Sequence, residues 1–361
     1  MSPSTDAPTP AALATELEAG RRHTLALFQA LQGALGANAL PRYLPETSPP
    51  LWDLGHLSWA ESWWIGRNPG LLSGFAPGTL DEATAPRAPE PFLPRADTWF
   101  DDRRVNHPAR WHQPLPPATV LLDYARRTRE KTLALLPAAA RREGALALLA
   151  RVLEAELQLH EQWLVTAQTL GIDPGAAADD PTATDGPGAV ADGIDASPVT
   201  WARVLEFVDD GGYERRELWG DAGWEWRKRQ GLQRPRHLAE RDASGSPPRR
   251  ARFGRWVPLD TAQPAMHLSA HEAEAWCHWA GRRLPTTSEW RTAQAAAGAA
   301  RFDWGEVWEW VAADEPGAAP HLMGASFATP GRLRRQPQAR AQAPERNDGF
   351  SGFRSCRADE A

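Results

Sequence analysis

Apolar positions recur at helical spacing in four stretches of the N-terminal half. After a polar tail, a helix is predicted from about residue 10 to 36, and a tryptophan-rich one lies in 48–64, SPPLWDLGHLSWAESWW. A Pro/Gly/Ala-rich connection over 68–98 follows. Helices resume over about 118–136, beyond the cluster Pro114, Pro116 and Pro117, and over 144–171. Four such helices predict a four-helix bundle over 10–171. Residues 172–196, GIDPGAAADDPTATDGPGAVADGID, are small, acidic and proline-containing, so they cannot supply a core and read as a linker. Beyond them, short apolar pieces with many tryptophans and frequent Gly and Pro predict an irregular α+β domain over 197–358. Two helix starts are legible there as capping boxes, Ser269 with Glu272 and Thr286 with Glu289.

The same periodicity aims chemistry inward. At about 100° per residue, Trp52, Trp59, Ala60 and Trp63 fall within about 60° of His56, which therefore points to the apolar side of its helix. A desolvated imidazole needs a carbonyl, a carboxylate or a metal as partner. On the last helix, Glu156 and His160 project near the centre of the stripe formed by Leu146, Leu149, Val152, Leu153, Leu157, Trp163 and Leu164, whereas Ala155 and Leu159 lie at or beyond its edge. His56, Glu156 and His160 would supply two nitrogens and one oxygen, a set that suits a divalent first-row metal with open positions. A backbone-satisfied His56 and a buried Glu156–His160 ion pair without metal are the alternatives.

Length and charge bound the rest. A chain of 361 residues is too long for most single cores, which agrees with two domains. A net charge of −6 gives no general reason to expect nucleic acid or an acidic membrane as partner. The cysteines, Cys277 and Cys356, are far apart and without CxxC spacing, so neither a disulfide framework nor a thiolate zinc site is indicated. With no basic-plus-apolar leader and no run of 18 apolar residues, a soluble cytoplasmic protein is expected. His267 and His271 have ligand spacing but straddle the cap at Ser269, and are discounted as a metal pair.

Three segments in order, AWCHWAGRRLPTTSEWRTA at 275–293, GEVWEW at 305–310 and NDGFSGFRSCR at 347–357, resemble the signatures of the formylglycine-generating (sulfatase-modifying factor) fold. SPPLWDLGHLSWAESWW resembles the DinB-type bundle that precedes this domain in the ergothioneine and selenoneine synthases, the EgtB/SenA-like family. The resemblance implies an Fe(II) held by three bundle histidines, one in an LGH context and two in an HxxxH pair on the last helix. It also implies O2-dependent coupling of a thiol or selenosugar donor to the imidazole C2 of hercynine, at an interface between the two domains.

Carried onto this chain, His56 matches the first ligand. Helical phase sets Glu156 and His160 at the two HxxxH positions, with glutamate for the first histidine. A competing register lays HExxHxE on AELQLHE at 155–161, which puts Ala155 and Leu159 where the histidines belong and leaves the site incomplete. The first register is preferred because it buries both polar groups. If the second holds, the chain is a degenerate enzyme that retains the pocket as a binding module for a betaine or modified amino acid, or one with a rebuilt metal site.

The substrate side departs from the family as well. The tyrosine that supplies a proton donor in the ergothioneine branch is missing from VAADEPGAAPHLMGASF. PERNDGFSGFRSC at 344–356 resembles the loop that faces the metal: Arg346 is a candidate carboxylate clamp, with Asn347 and Asp348 orienting an imidazole or ammonium group. Arg104 and Arg110, with Arg103 and His107, are candidates for an anionic donor, with a solvated loop as the alternative. Trp304, Trp308 and Trp310 invite an aromatic-cage reading for a trimethylammonium group, but the Trp308 and Trp310 positions are usually core in this fold, so core is expected. Cys277 reads as packing, and Cys356 lacks the neighbouring cysteine that formylglycine-generating chemistry needs.

Overall fold

The computed structural model describes residues 9–73, 87–142, 144–175, 182, 193–240, 246–296, 302–315 and 317–358. The chain forms two compact units, Met1–Thr166 and Ala167–Ala361. Most of the expected linker lies outside the described residues. Its last residues belong to the second unit, where Ile194 bridges to Cys356 and Asp195 accepts from Arg282 at 2.7 Å. No helix among the described residues is long and apolar enough to cross a membrane.

The first unit is built on the four expected helices: α1 (Pro10–Leu35), α2 (Pro50–Glu61), α3 (Ala118–Ala139) and α4 (Ala145–Leu170). The Thr9 side chain caps α1 by accepting from the Ala12 amide, and Pro50 opens α2, where a missing N–H costs nothing. At its end α2 widens into a π turn over Ser62–Gly66, the kind of bulge that re-aims side chains, here Trp63 and Trp64. Leu13, Leu17, Ile65, Leu136, Leu149 and Leu153 form one apolar core.

Beside that core lies a closed ring of four buried charges, one from each helix. Arg21 of α1 binds Glu61 of α2 and Glu156 of α4, both at 2.7 Å, and Arg129 of α3 binds the same two carboxylates. Spare donors are used as well: Arg21 Nη1 reaches the Ala125 carbonyl at 2.6 Å, and Arg129 Nη1 donates to the Leu17 carbonyl. Burial alone would raise the Glu156 carboxyl, but the charges of Arg21 and Arg129, with hydrogen bonds from Arg21 and Thr24, bring it down to about 2. The folded pKa lies below the ordinary value, so this stabilisation is complete above about pH 4.5 and is lost as pH falls through about 2.

The second unit carries helices α5 (Trp201–Asp209), α6 (Asp221–Gln230), α7 (Ala270–Trp279) and α8 (Thr287–Ala296). Besides the short antiparallel pair Arg282–Arg283 and Cys356–Arg357, its strands are the hairpin β1 (Arg249–Arg252) and β2 (Arg255–Pro258), then β3 (Trp308–Val311), β4 (His321–Gly324), β5 (Gln338–Arg340) and β6 (Ser351–Phe353). The last four form a sheet in the order β5-β4-β3-β6, in which only the β3–β6 pair is parallel. An α+β arrangement follows a helical one, as the texture of the sequence predicts. Both capping boxes form: Ser269 and Glu272 bond reciprocally, as do Thr286 and Glu289.

The family-like segments of this unit prove largely structural. Glu309 of β3 is fully buried, where it pairs with Arg354 and accepts from Trp290 Nε1 at 2.9 Å. Arg354 also donates to the carbonyls of Asp195 and Ala196, at 2.9 and 3.1 Å. Trp308, Trp310 and Cys277 are core residues, as expected.

The ring of charges yields a stability prediction. Glu156→Ala should destabilise the chain by about 3–5 kcal/mol in urea denaturation, because it strands buried guanidinium charge. Replacing Arg21, Glu61, Arg129 and Glu156 together by apolar residues of similar volume should cost far less, which separates lost compensation from lost packing.

Candidate functional site

The LGH motif builds a seat for its imidazole. A Cβ on Gly55 would lie 2.2 Å from the Phe100 ring, so only glycine lets the short helix Ala96–Phe100 approach α2 this closely. That approach places the Phe100 carbonyl 2.8 Å from His56 Nδ1. A carbonyl only accepts, so Nδ1 carries the proton and Nε2 keeps its lone pair. The ring stacks on Trp52, with centroids 4.7 Å apart, and on Trp59 at 5.7 Å. Burial lowers the pKa of His56 against the opposing pull of the Phe100 bond, which favours the neutral ring. This half-buried imidazole lines a cavity of about 340 Å³ together with Trp59, Trp63, Trp64, Arg103 and Ala155.

His56 thus presents the tautomer that a metal requires, but the other two expected ligands do not join it. Glu156 and His160 are buried as helical phase predicts. Glu156 Oε1 accepts from Arg21 and, at 2.7 Å, from Thr24, and Oε2 accepts from Arg129. His160 Nε2 lies 2.8 Å from Thr24 Oγ1. The single Thr24 proton faces Glu156 and the Gly20 carbonyl, so the imidazole is the donor and Nε2 has no free lone pair. Burial and then the neighbouring His23, whose ring centroid is 4.5 Å away, lower His160 to about 4.

Among the described residues no three His, Cys, Asp or Glu side chains gather so as to hold a metal ion. The expected ligand set of His56, Glu156 and His160 is therefore not assembled, for a physical reason: two arginines already satisfy the carboxylate. Nor do these donors pair with each other as the buried Glu156–His160 alternative supposed, since Thr24 stands between them. Four α4 residues share the cavity with His56, namely Leu148, Arg151, Val152 and Ala155, and the last is one of the two positions at which the competing register seats a histidine.

The expected substrate contacts divide between the units. In the first, Arg110 lies over the Trp52 ring at 4.1 Å and donates to Ser48 Oγ at 3.0 Å. Arg104 is largely exposed, 3.4 Å from Asp101. In the second, Arg346 does clamp a carboxylate bidentately, but the carboxylate is Asp348, at 2.6 and 2.7 Å. Asn347 Oδ1 accepts from Arg236 at 3.4 Å. Two of the three tyrosines are spent on carboxylates, Tyr124 on Glu90 and Tyr213 on Glu272, and Tyr43 is exposed.

Some polar residues of interest were not legible. His237 and His267 both adopt left-handed backbone, with φ of 67° and 62°, and their rings meet edge-on at 4.7 Å. Tertiary packing imposes that conformation, and nothing in the local sequence signals it. Asp53, in the first turn of α2, reads as a favourable helix-dipole partner. In the fold it is buried and accepts from Trp163 Nε1 at 3.0 Å. Burial raises its pKa to about 7, against the Trp163 bond and the Arg110 charge.

A raised carboxyl pKa means that the folded state holds the extra proton between about 3.8 and 7, so stability from this group falls as pH rises through about 7. Asp53→Asn should therefore gain stability relative to the wild type on going from pH 5 to pH 8, on the order of 3 kcal/mol by paired urea titrations. An unchanged difference would mean that Asp53 does not titrate in this range.

Comparison with known proteins gives these features a context. Residues 191–307 match the model of the sulfatase-modifying factor enzyme 1-like domain. Over nearly the whole chain the similarity is to proteins named hercynine oxygenase. That of Mycolicibacterium smegmatis is 28% identical, with 88% of this chain and 76% of the relative covered. That of Mycolicibacterium thermoresistibile is 30% identical, with 83% and 70% covered. The two-part architecture, the seated LGH histidine and this extent of identity together establish that the chain belongs to the hercynine oxygenase family.

Proposed function

We propose that this chain recognises hercynine, or a closely similar trimethylated imidazole amino acid, in the cavity beside His56. The observation that carries this reading is the seat of His56: Nδ1 is tied to Phe100, and the ring is held between two indoles at the wall of a cavity of about 340 Å³. That volume falls in the range of small-molecule sites. Membership of a family of hercynine oxygenases supports the choice of ligand and an oxidoreductase ancestry.

Iron-dependent coupling of a sulfur or selenium donor does not find its donor set in these residues. His56 offers one nitrogen, Glu156 belongs to Arg21 and Arg129, and His160 donates to Thr24. We therefore favour a member that keeps the ligand cavity without the three-ligand centre. Ala155, facing that cavity, is the specific observation in favour of this over a working oxygenase.

The test combines metal content with hercynine binding. Wild-type protein loaded anaerobically with Fe(II) should retain well under one iron per chain and should bind hercynine in calorimetry regardless of iron. An Ala155→His/Leu159→His variant should gain iron. About one iron in the wild type, lost in both His56→Ala and His160→Ala, with O2-dependent turnover of hercynine and a thiol, would overturn the metal-free reading and restore the oxygenase.

A further inference from the structure

The indole wall of the His56 cavity already carries a cation. The Arg103 guanidinium lies 4.8 Å from the Trp63 ring centroid and 5.9 Å from that of Trp59, and all three residues line the cavity. Two further arginines lie over Trp63, Arg67 at 5.1 Å and Arg87 at 5.4 Å. Arg67 is fixed there: its side chain is 3% exposed and binds Asp97 through both terminal nitrogens, at 2.7 and 2.9 Å. Arg103 is held differently. Its side chain is 45% exposed and pairs with Asp101 of its own loop, two residues away, at 2.7 and 2.9 Å.

We propose that the Trp59–Trp63 wall is a subsite for a quaternary ammonium group and that Arg103 is a resident cation which such a ligand displaces. The proposal rests on the hercynine reading only in placing the trimethylammonium end of that ligand here. The physical basis is the attraction of an indole face for a cation, which is as available to a methylated ammonium as to a guanidinium. A quaternary ammonium has no N–H to satisfy, so on a desolvated indole wall it leaves no unmet donor. Arg103 pairs with Asp101 of its own loop and its side chain is already 45% exposed, so on leaving the indole face it can keep that partner and gain solvent.

The subsite can be tested with tetramethylammonium and glycine betaine on the full chain, read by tryptophan fluorescence quenching. Removing the competitor in Arg103→Ala should tighten binding of both probes by roughly 3- to 30-fold, as a competing cation–π contact implies. Arg103→Lys should stay close to wild type, and Trp63→Leu should abolish the gain in the Arg103→Ala background. Equal or weaker binding by Arg103→Ala, in protein that still binds hercynine, would overturn the subsite and leave the hercynine reading intact. Probe binding that responds as expected, in protein that does not bind hercynine, would uphold the subsite and overturn that reading.

Discussion

The first unit depends on one constraint, that four charged side chains from four helices neutralise each other where water is excluded. Arg21, Glu61, Arg129 and Glu156 alternate in sign around a closed ring, and each meets two opposite charges. Such a ring is a poor source of net stability, since desolvating four charges offsets most of the Coulomb energy. Its contribution is specificity, because a slip of any helix by one turn strands a charge. The register that the ring enforces sets Ala155 beside the cavity and turns Glu156 away from metal service.

Much of this was written in the pattern of apolar residues. The four helices, both capping boxes and the change of texture into an α+β unit follow from periodicity and local hydrogen bonding, which neighbouring residues determine. Burial of Glu156 and His160 was legible for the same reason. What they bind was not, because a helical wheel gives direction but no partner. Arg21 and Arg129 lie 135 and 27 residues from Glu156, and two charged residues on long helices look like solvated positions until their faces meet. The choice between the two registers of the last helix rested on which polar groups were buried, and burial could not tell a ligand from an ion-pair partner.

The familiar segments of the chain separate by role. Glu309 and Arg354 pair inside the second unit, so the WEW and GFR strings serve the sheet and its connections. Gly55 serves the seat of His56 by admitting Phe100. Arg346 and Asp348 satisfy each other, so the expected carboxylate clamp is spent within its own loop. Family resemblance in these strings therefore reports the shape of the fold and of the cavity more directly than it reports chemistry.

In this fold Glu156 serves the arginines and not a metal. Equilibrium denaturation of the wild-type chain under anaerobic conditions, with and without excess Fe(II), tests this assignment most directly, because an ion bound by the native state alone must raise the unfolding midpoint by mass action. With Glu156 held by Arg21 and Arg129, the two midpoints should coincide. A midpoint raised by Fe(II) in the wild type and unchanged by Fe(II) in Glu156→Gln would show that the carboxylate binds iron, and would contradict its assignment to the ring.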